Sequence, residues 1–265
     1  FDRALLDKAE QELKRQYLSR SKYGAQVQTR VDQLARNRVG ITFNVDEGES
    51  ASIKQLKIIG SKDFTEKQLL EEFELSTGGL MSWYSKNDQY SRQKLSGGVE
   101  KLRSFYLNRG YADFSIENTQ VQIAPNKQDI FITITVKEGQ KFTFGNVELS
   151  GQLLGRDAEL RGLMLAKKGE TFNGEALTDT TKSIQDRLGN YGYAFANANV
   201  IPELDRENRV VNITIAVDPG KRVYVRRMNV GGNTRTKDAV VRREFRQFES
   251  SWYDSRKIHL SKERV

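Results

Sequence analysis

The chain contains no cysteine and only one histidine, His259, among its 265 residues. The lack of cysteine excludes disulfides and thiolate nucleophiles. A single histidine excludes an HExxH zinc site, which needs two, and leaves almost no possibility of a histidine-based catalytic triad. Neither a GxxxxGK[ST] phosphate loop nor a GxGxxG dinucleotide fingerprint occurs. Two carboxylates could still meet in space, but the sequence as a whole predicts no enzyme, and no catalytic, cofactor-binding or metal-binding residue.

Long hydrophobic runs are also missing. The longest apolar stretches are a few residues, far short of the ~20 that a membrane-spanning helix needs. The first residues indicate an amphipathic helix instead of a signal peptide, so we expect a piece of a longer protein whose targeting signal or anchor lies outside it. With 37% apolar and 29% charged residues, several small modules are favoured over one large globule, because small domains bury a lower fraction of their chain.

The charge is basic, with 43 Lys and Arg against 35 Asp and Glu and a net charge of +8. Most positive residues alternate with acidic ones, and the exception is a C-terminal stretch with Arg242, Arg243, Arg246, Arg256 and Lys257. A nucleic-acid footprint is clustered as well as basic. We therefore predict a solvated basic surface, and at most weak, steeply salt-dependent binding to nucleic acid.

A repeat organises the chain. Residues 41–48 (ITFNVDEG), 132–139 (ITITVKEG) and 213–220 (ITIAVDPG) align without gaps, at intervals of 91 and 81 residues. Each alternates apolar with small or polar residues, which is typical of a half-buried strand, and each ends at a turn glycine. A second glycine follows twelve residues later in every copy, after a second predicted strand at 56–58, 147–149 or 228–230.

Two helices are predicted in each repeat. The first covers 64–73, where Thr65 and Gln68 fit a capping box, with counterparts at 158–165 and 237–248. The second carries one apolar stripe, seen in Leu95, Val99, Leu102 and Tyr106 and repeated near residues 6–17 and 177–191. Gly110 and Gly192 are expected to end two of these helices as left-handed caps; in the first copy Lys22 precedes Tyr23 where the others have glycine.

These elements give an α+β fold of tandem β-α-α-β-β modules, each a three-stranded mixed sheet with two helices on one face. Residues 50–138 and 139–219 are complete copies. Residues 1–49 begin at a second helix, and residues 220–265 end where that helix should start.

The assembled repeat resembles the POTRA (polypeptide-transport-associated) domains of bacterial outer-membrane β-barrel assembly proteins. The resemblance rests on residues 102–112 (LRSFYLNRGYA), 191–194 (YGYA) and 238–244 (DAVVRRE), and on the strand 116–123 with its TQV core at 119–121. It covers the whole chain and implies the end of a second POTRA domain at 1–49, a third at 50–138, a fourth at 139–219 and the start of a fifth at 220–265.

The resemblance implies the periplasmic arm of a Gram-negative outer-membrane protein whose anchoring barrel is not in this sequence. Such an arm holds accessory outer-membrane lipoproteins and receives unfolded barrel precursors, and it does not bind nucleic acid. A three-stranded sheet leaves edges that can pair with an incoming strand, and this β-augmentation tolerates many sequences because main-chain hydrogen bonds supply the attraction.

The most informative edge is predicted at 112–123. Its apolar residues lie on even positions at Phe114 and Ile116 and on odd ones at Val121 and Ile123. The phase slips by one between them, which indicates a β-bulge. By resemblance this edge of the third module engages a propeller-shaped lipoprotein, and Arg242 and Glu249 match positions that dock a helical-repeat lipoprotein on the fifth. The candidate protein-binding residues are Phe114, Ile116, Glu117, Thr119, Val121, Ile123, Arg242 and Glu249.

Each of these predictions has a structural alternative. The bulge could only accommodate twist or shield the edge, and charges on a helix surface are usually just solvated. The equivalent strand of the fourth module carries Pro202, which lacks an N–H and should blunt that edge. Two alternative functions remain: a POTRA arm of a different transporter, and a KH-like nucleic-acid module. Against the second, Gly162 and the pair Gly78-Gly79 do not form a KH GXXG loop at matching positions.

Overall fold

The computed structural model describes residues 2–36, 38–73 and 92–265, and Gly78 and Gly79 lie outside this part of the chain. The described residues divide into two compact units. The first contains the described residues within 1–106 and 114–139, and the second contains residues 107–113 and 140–265.

The first unit holds two sheets. An antiparallel hairpin of β1 and β2 accompanies the long helix α1, and a three-stranded sheet in the order β3-β5-β4 accompanies α2 and α3. The bounds are α1 Arg3–Ser19, β1 Gln26–Leu34, β2 Arg38–Asp46, β3 Ser52–Ile59, α2 Glu66–Leu70, α3 Arg92–Leu107, β4 Ser115–Ile123 and β5 Asp129–Lys137.

The second unit repeats the three-stranded sheet and its two helices. Its three-stranded sheet has the order β6-β8-β7, and a two-stranded sheet of β9 and β10 follows. The bounds are β6 Thr143–Gly151, α4 Asp157–Arg161, α5 Gly174–Asn190, β7 Asn197–Asp205, β8 Val210–Asp218, β9 Tyr224–Val225, α6 Asp238–Glu244, β10 Ser251–Trp252 and α7 Ser255–Arg264.

Each three-stranded sheet is mixed, as predicted. The Ile-Thr strand lies in the centre, pairing in parallel with the first strand of its module and antiparallel with the strand before it. Burial alternates along both central strands: Ile130, Ile132 and Ile134 are at most 1% exposed, while between them Phe131 is exposed and Thr133 half-buried. This period of two means that one face of the sheet carries the core. The α+β prediction is confirmed.

Steric overlap explains why the second glycine of the repeat cannot be another residue in the two complete modules. Gly60 and Gly151 both adopt positive φ, at 102° and 91°. A Cβ on Gly60 would overlap the carbonyl oxygen of Val136, and one on Gly151 would overlap that of Val217. Both glycines therefore end the first strand where the backbone of the central strand passes too close for any side chain.

The same C-terminal cap ends the long helices α1 and α5, but serine takes the place of glycine in α1. At the end of α5, Gly192 has φ 100°, and its neighbour Tyr193 donates its N–H to the Leu188 carbonyl at 3.1 Å, which makes a Schellman motif. At the end of α1 the left-handed position is taken by Ser21, with φ 63°, and Lys22 donates to the carbonyl of Tyr17 at 3.0 Å. The motif survives in the first copy without glycine.

A buried carboxylate ties the complete module of the first unit together. Glu138 is 5% exposed, and its oxygens accept the backbone N–H of Lys62 at 2.8 Å, that of Asp63 at 3.1 Å and the hydroxyl of Tyr106 at 3.0 Å. A carboxylate that would be costly to bury alone is therefore satisfied by three donors.

The same pair of positions changes together along the chain. In the first repeat the hydroxyl of Tyr17 lies 3.4 Å from Glu47, at the positions of Tyr106 and Glu138. In the third they are Leu188 and Pro219. The polar pair is thus either present in both members or replaced in both, which avoids leaving one buried polar group without its partner.

The first helices are shorter than predicted. The prediction of 64–73 becomes α2 over Glu66–Leu70, although Thr65 and Gln68 do form the capping box. The chain leaves the helix because the ring of Phe73 packs where a Cβ on Gly98 of α3 would lie. Likewise 158–165 becomes Asp157–Arg161, followed by Gly162, and 237–248 becomes Asp238–Glu244, because Phe245 is extended with ψ 133°.

The prediction of a strand at 228–230 was wrong. The last repeat has only the two-residue β9, and residues 226–230 form no strand. In the complete modules this strand is held by parallel pairing to a central Ile-Thr strand. No further Ile-Thr strand follows residue 230 in this sequence, so the pairing that would support it is missing.

Candidate protein-binding surfaces

Strand β4 forms one edge of the sheet β3-β5-β4. Its partner is β5 on one side only, with Val121 opposite Ile132 and Ile123 opposite Ile130. No other described strand lies along its outer side. The predicted edge therefore exists, and a row of its backbone groups faces outward.

The hairpin shows which groups face outward. Ala124 donates its N–H to the carbonyl of Asp129 at 2.9 Å, in the register that continues along the strand. Hydrogen bonding alternates along an antiparallel strand. Residues 118, 120 and 122 therefore point their backbone groups at β5, and Thr119, Val121 and Ile123 point theirs away from the sheet.

The predicted bulge is also present. Ile116 lies opposite Val136, but Asn118 lies opposite the adjacent Thr135, so Glu117 is an extra residue in β4. The insertion lets Ile116 and Val121 share the helix side of the sheet, although one is at an even and the other at an odd position. The sequence phase slip thus marked a real change of register.

The structure separates the candidate residues on this strand into two groups. Phe114 precedes β4, is 5% exposed and stacks on Tyr106 with ring centroids 4.1 Å apart. Its aromatic ring is therefore part of the core and is not presented to a partner. The others lie on the strand itself: Ile116 and Val121 are half-buried, and Glu117, Thr119 and Ile123 are exposed.

Pro202 occupies the position of Val121 in the next module. Val121 pairs with Ile132 and Pro202 pairs with Ile213, and these isoleucines are the same position of the Ile-Thr repeat. By this equivalence the ring of Pro202 replaces an outward N–H, so β7 loses no hydrogen bond to β8. Strand β7 also shows no register shift. The two edges therefore differ at their centre: one presents a donor there and the other cannot.

Arg242 and Glu249 meet in the last segment. The Arg242 guanidinium donates to Asp238 at 2.8 Å, to Glu249 at 3.1 Å and to the carbonyl of Met228 at 2.9 Å. The Glu249 carboxylate in turn accepts the N–H of Met228 at 2.8 Å. The two residues clamp both backbone groups of Met228 and fix the turn after α6.

The electrostatics of this clamp follow from its contacts. The N–H of Met228 and then the Arg242 guanidinium hold the pKa of Glu249 below its usual value. Asp238 and then Glu249 hold the pKa of Arg242 above its usual value. Both side chains are 37–39% exposed, so the pair is charged and reachable from solvent. Sequence reasoning singled out Arg242 and Glu249 but missed Asp238, whose i, i+4 spacing to Arg242 was a readable signal.

The described residues lack two other kinds of feature. None of their helices is both long enough and apolar enough to cross a bilayer. No group of three or more acidic or histidine side chains among them is placed to hold a metal ion.

Comparisons with known proteins agree with this geometry. A model of the POTRA family, described as a surface antigen variable number repeat, matches residues 1–48, 51–139, 142–220 and 223–265. The outer membrane protein assembly factor BamA of Neisseria meningitidis is 38% identical over 266 residues, covering 100% of this chain and 33% of that protein. BamA of Buchnera aphidicola is 28% identical over 228 residues, covering 85% of this chain and 37% of that protein.

Among solved structures, the crystal structure of POTRA domains 3–5 of Haemophilus influenzae BamA matches with a TM-score of 0.70 and 31% identity, over 81% of this chain and 84% of that one. This chain spans about a third of the length of the curated relatives named above. The repeats, the sheet order and these matches together show that the chain belongs to the POTRA family, with repeats similar to those of BamA.

Proposed function

We propose that this chain is the periplasmic arm of an outer-membrane protein assembly factor of a Gram-negative bacterium, anchored through a barrel outside this sequence. It acts as a scaffold that binds accessory lipoproteins and unfolded barrel precursors. Support comes from relatives named as outer membrane protein assembly factors and from the strand edge described above. Membership of the POTRA family argues against the KH-like alternative, and the BamA names favour this arm over that of another transporter.

The observation that carries the proposal is the open edge of β4. Outward N–H and C=O groups at Thr119, Val121 and Ile123 can accept a partner strand without breaking any bond to β5. The bulge at Glu117 ends the regular ladder and limits how far a partner can pair. In such pairing most of the affinity comes from main-chain hydrogen bonds and little depends on the partner's side chains. This suits a scaffold that binds many different precursors. We assign this edge both to client strands and to a propeller-shaped lipoprotein.

Replacing Val121 by proline tests the edge. The substitution removes an outward donor that serves no bond within the sheet, and Pro202 shows that the same position of the fold accepts proline. We expect binding of a barrel-strand peptide or of the lipoprotein to weaken by about 1–3 kcal/mol, with an unchanged thermal midpoint. Binding at the parental affinity by a normally folded variant would remove this edge as the site.

Three control variants sharpen that experiment. Gln120→Pro removes the adjacent inward N–H and should destabilise the module itself, because it breaks a ladder bond to β5. Lys127→Ala lies in the hairpin loop and should change neither property. Pro202→Val should restore a donor on β7 and add weak strand binding there.

The Arg242–Glu249 clamp is our second proposed surface, and it takes the helical-repeat lipoprotein. Because each charge is already paired within the chain, docking would add to an existing ion pair instead of burying an isolated charge, which would cost much more. Glu249→Gln keeps an oxygen for the Met228 N–H but removes the charge. If the charge serves docking, affinity should fall while stability hardly changes; Glu244→Gln, at the end of α6, is the matched control. Equal affinity for Glu249→Gln and the parent would restrict Glu249 to a structural role.

The absence of catalysis remains part of this proposal. A scaffold needs no reacting group, and the clamp, the edge and Glu138 are each explained by structure or binding. Turnover of an ester, peptide or phosphate substrate by the purified chain, abolished by one point substitution, would contradict it.

A further inference from the structure

The net charge of the chain is confined to its last segment. Residues 220–265 contain 13 Lys and Arg against 5 Asp and Glu, a net charge of +8. This equals the net charge of the whole chain, so residues 1–219 carry 30 residues of each sign and are neutral. A charge imbalance confined to one segment of 46 residues creates a local positive potential that a neutral scaffold does not have.

Most of these positive side chains have no acidic partner. Arg242, Arg243 and Lys257 form ion pairs with neighbouring carboxylates. The following basic residues are exposed and lie within salt-bridge distance of no described carboxylate: Lys221, Arg226, Arg227, Arg235, Lys237, Arg246, Arg256, Lys262 and Arg264. Of these, Arg227 is close enough to Glu249 to help lower its pKa. They are spread over the β9 strand region, the loop before α6, the turn after it and α7. Within the described residues, most of their charge is therefore not neutralised by a neighbouring carboxylate.

An aromatic cluster lies within this basic segment. Tyr224 on β9 and Trp252 on β10 are cross-strand partners, with ring centroids 5.6 Å apart in an edge-to-face arrangement. The guanidinium of Arg222 lies 4.4 Å from the centre of the Trp252 ring. Tyr224 is 51% exposed, Trp252 49%, and Phe248, four residues before Trp252 in sequence, 63%. Half-exposed Trp and Tyr beside arginine are typical of residues that sit between water and lipid headgroups.

We propose that residues 220–265 bind the anionic headgroups of a lipid bilayer, with Trp252 and Tyr224 at the headgroup level. Each basic residue next to an anionic surface raises the partition coefficient onto the bilayer roughly fivefold. The surface of an anionic bilayer is an extended plane of negative charge, so it can attract positive side chains from several elements at once. A single acidic protein site would favour one compact cluster with fixed geometry, whereas here the unpaired charges are distributed over the whole segment.

The test is binding of the full 265-residue chain to vesicles, measured by co-sedimentation. We expect binding to phosphatidylglycerol–phosphatidylcholine vesicles, little binding to phosphatidylcholine alone, and loss of binding as salt screens the charges. The sequence has two tryptophans, Trp83 and Trp252, so a Trp83→Phe background makes Trp252 the sole reporter. Its emission should shift to the blue on binding.

Two double variants with the same change in net charge give the decisive comparison. Arg226→Glu with Arg227→Glu should weaken vesicle binding by at least about 30-fold, since two favourable contacts are lost. Lys182→Glu with Arg206→Glu, both exposed and outside the segment, should leave it nearly unchanged. Equal effects of the two pairs would overturn the proposal, because net charge and not its location would then control binding. Tight binding to polyglutamate without a Trp252 shift on vesicles would assign the segment to acidic proteins instead and also overturn it.

Discussion

Removing the carboxylate of Glu138 should selectively loosen the sheet β3-β5-β4. In Glu138→Ala, the backbone N–H groups of Lys62 and Asp63 and the hydroxyl of Tyr106 all lose their shared acceptor. These groups hold the turn after β3 and the second helix of the module against the end of the central strand. The substitution therefore acts where three elements meet.

The magnitude follows from the number and kind of bonds lost. A hydrogen bond to a charged group contributes about 1.5–3 kcal/mol, and bonds that share one acceptor are not additive. Glu138 lies close enough to the surface, at 5% exposure, for water to replace part of the loss. We expect a destabilisation of about 3 kcal/mol. Tyr106→Phe removes one donor but leaves the two backbone bonds, and should cost about 1 kcal/mol.

Hydrogen exchange read by mass spectrometry measures this effect segment by segment. Amides of β5 should exchange at least about 100-fold faster in Glu138→Ala, since a loss of 1.4 kcal/mol is tenfold in the opening equilibrium. Amides of β8 provide an internal control, because that module has Leu188 and Pro219 at the corresponding positions. Unchanged protection of β5, or equal acceleration in β5 and β8, would refute the role assigned to Glu138.

Two further predictions concern the second unit. Gly151→Ala should destabilise its sheet by about 3 kcal/mol or more, because it combines a left-handed backbone with an overlap at the carbonyl of Val217. Gly231→Ala, which meets nothing within 4 Å, should stay within about 0.5 kcal/mol of the parent in urea unfolding. Bonds from Arg187, Tyr191 and Arg156 lower the pKa of Glu159 to about 2. Its stabilising contribution should therefore be complete above pH ~4.5 and be lost as the pH falls through about 2, and Glu159→Gln should remove that part of the acid dependence of unfolding.

Sequence periodicity predicted the features that depend on local pattern. The Ile-Thr strands alternate because one face of each sheet is buried. The same rule predicted a bulge within residues 117–120 from a slip of phase, and the strand register places it at Glu117. Thr65 and Gln68 predicted a capping box that forms, because both bonds involve residues within four positions of each other. The α+β architecture followed from repetition of these local signals.

Features that depend on distant contacts were not predictable in the same way. Phe114 reads as an apolar residue of an edge strand, and only the stacking on Tyr106 shows that it belongs to the core. The early end of α2 results from Phe73 packing over Gly98, 25 residues away in sequence. The equivalence of Val121 and Pro202 needed the strand register. The Arg242–Glu249 pair was proposed from resemblance, but its bonds to Met228 were visible only in the structure.

The central claim, that the open edge of β4 binds extended partners, is tested most directly by amide NMR of the chain titrated with a barrel-strand peptide. We expect chemical-shift changes and slowed exchange for the outward N–H groups of Thr119, Val121 and Ile123, with little change at the inward Gln120 and Gln122. Strand β7, with Pro202 at its centre, should respond much less. Saturable peptide binding that leaves the three outward amides of β4 unaffected would contradict the account.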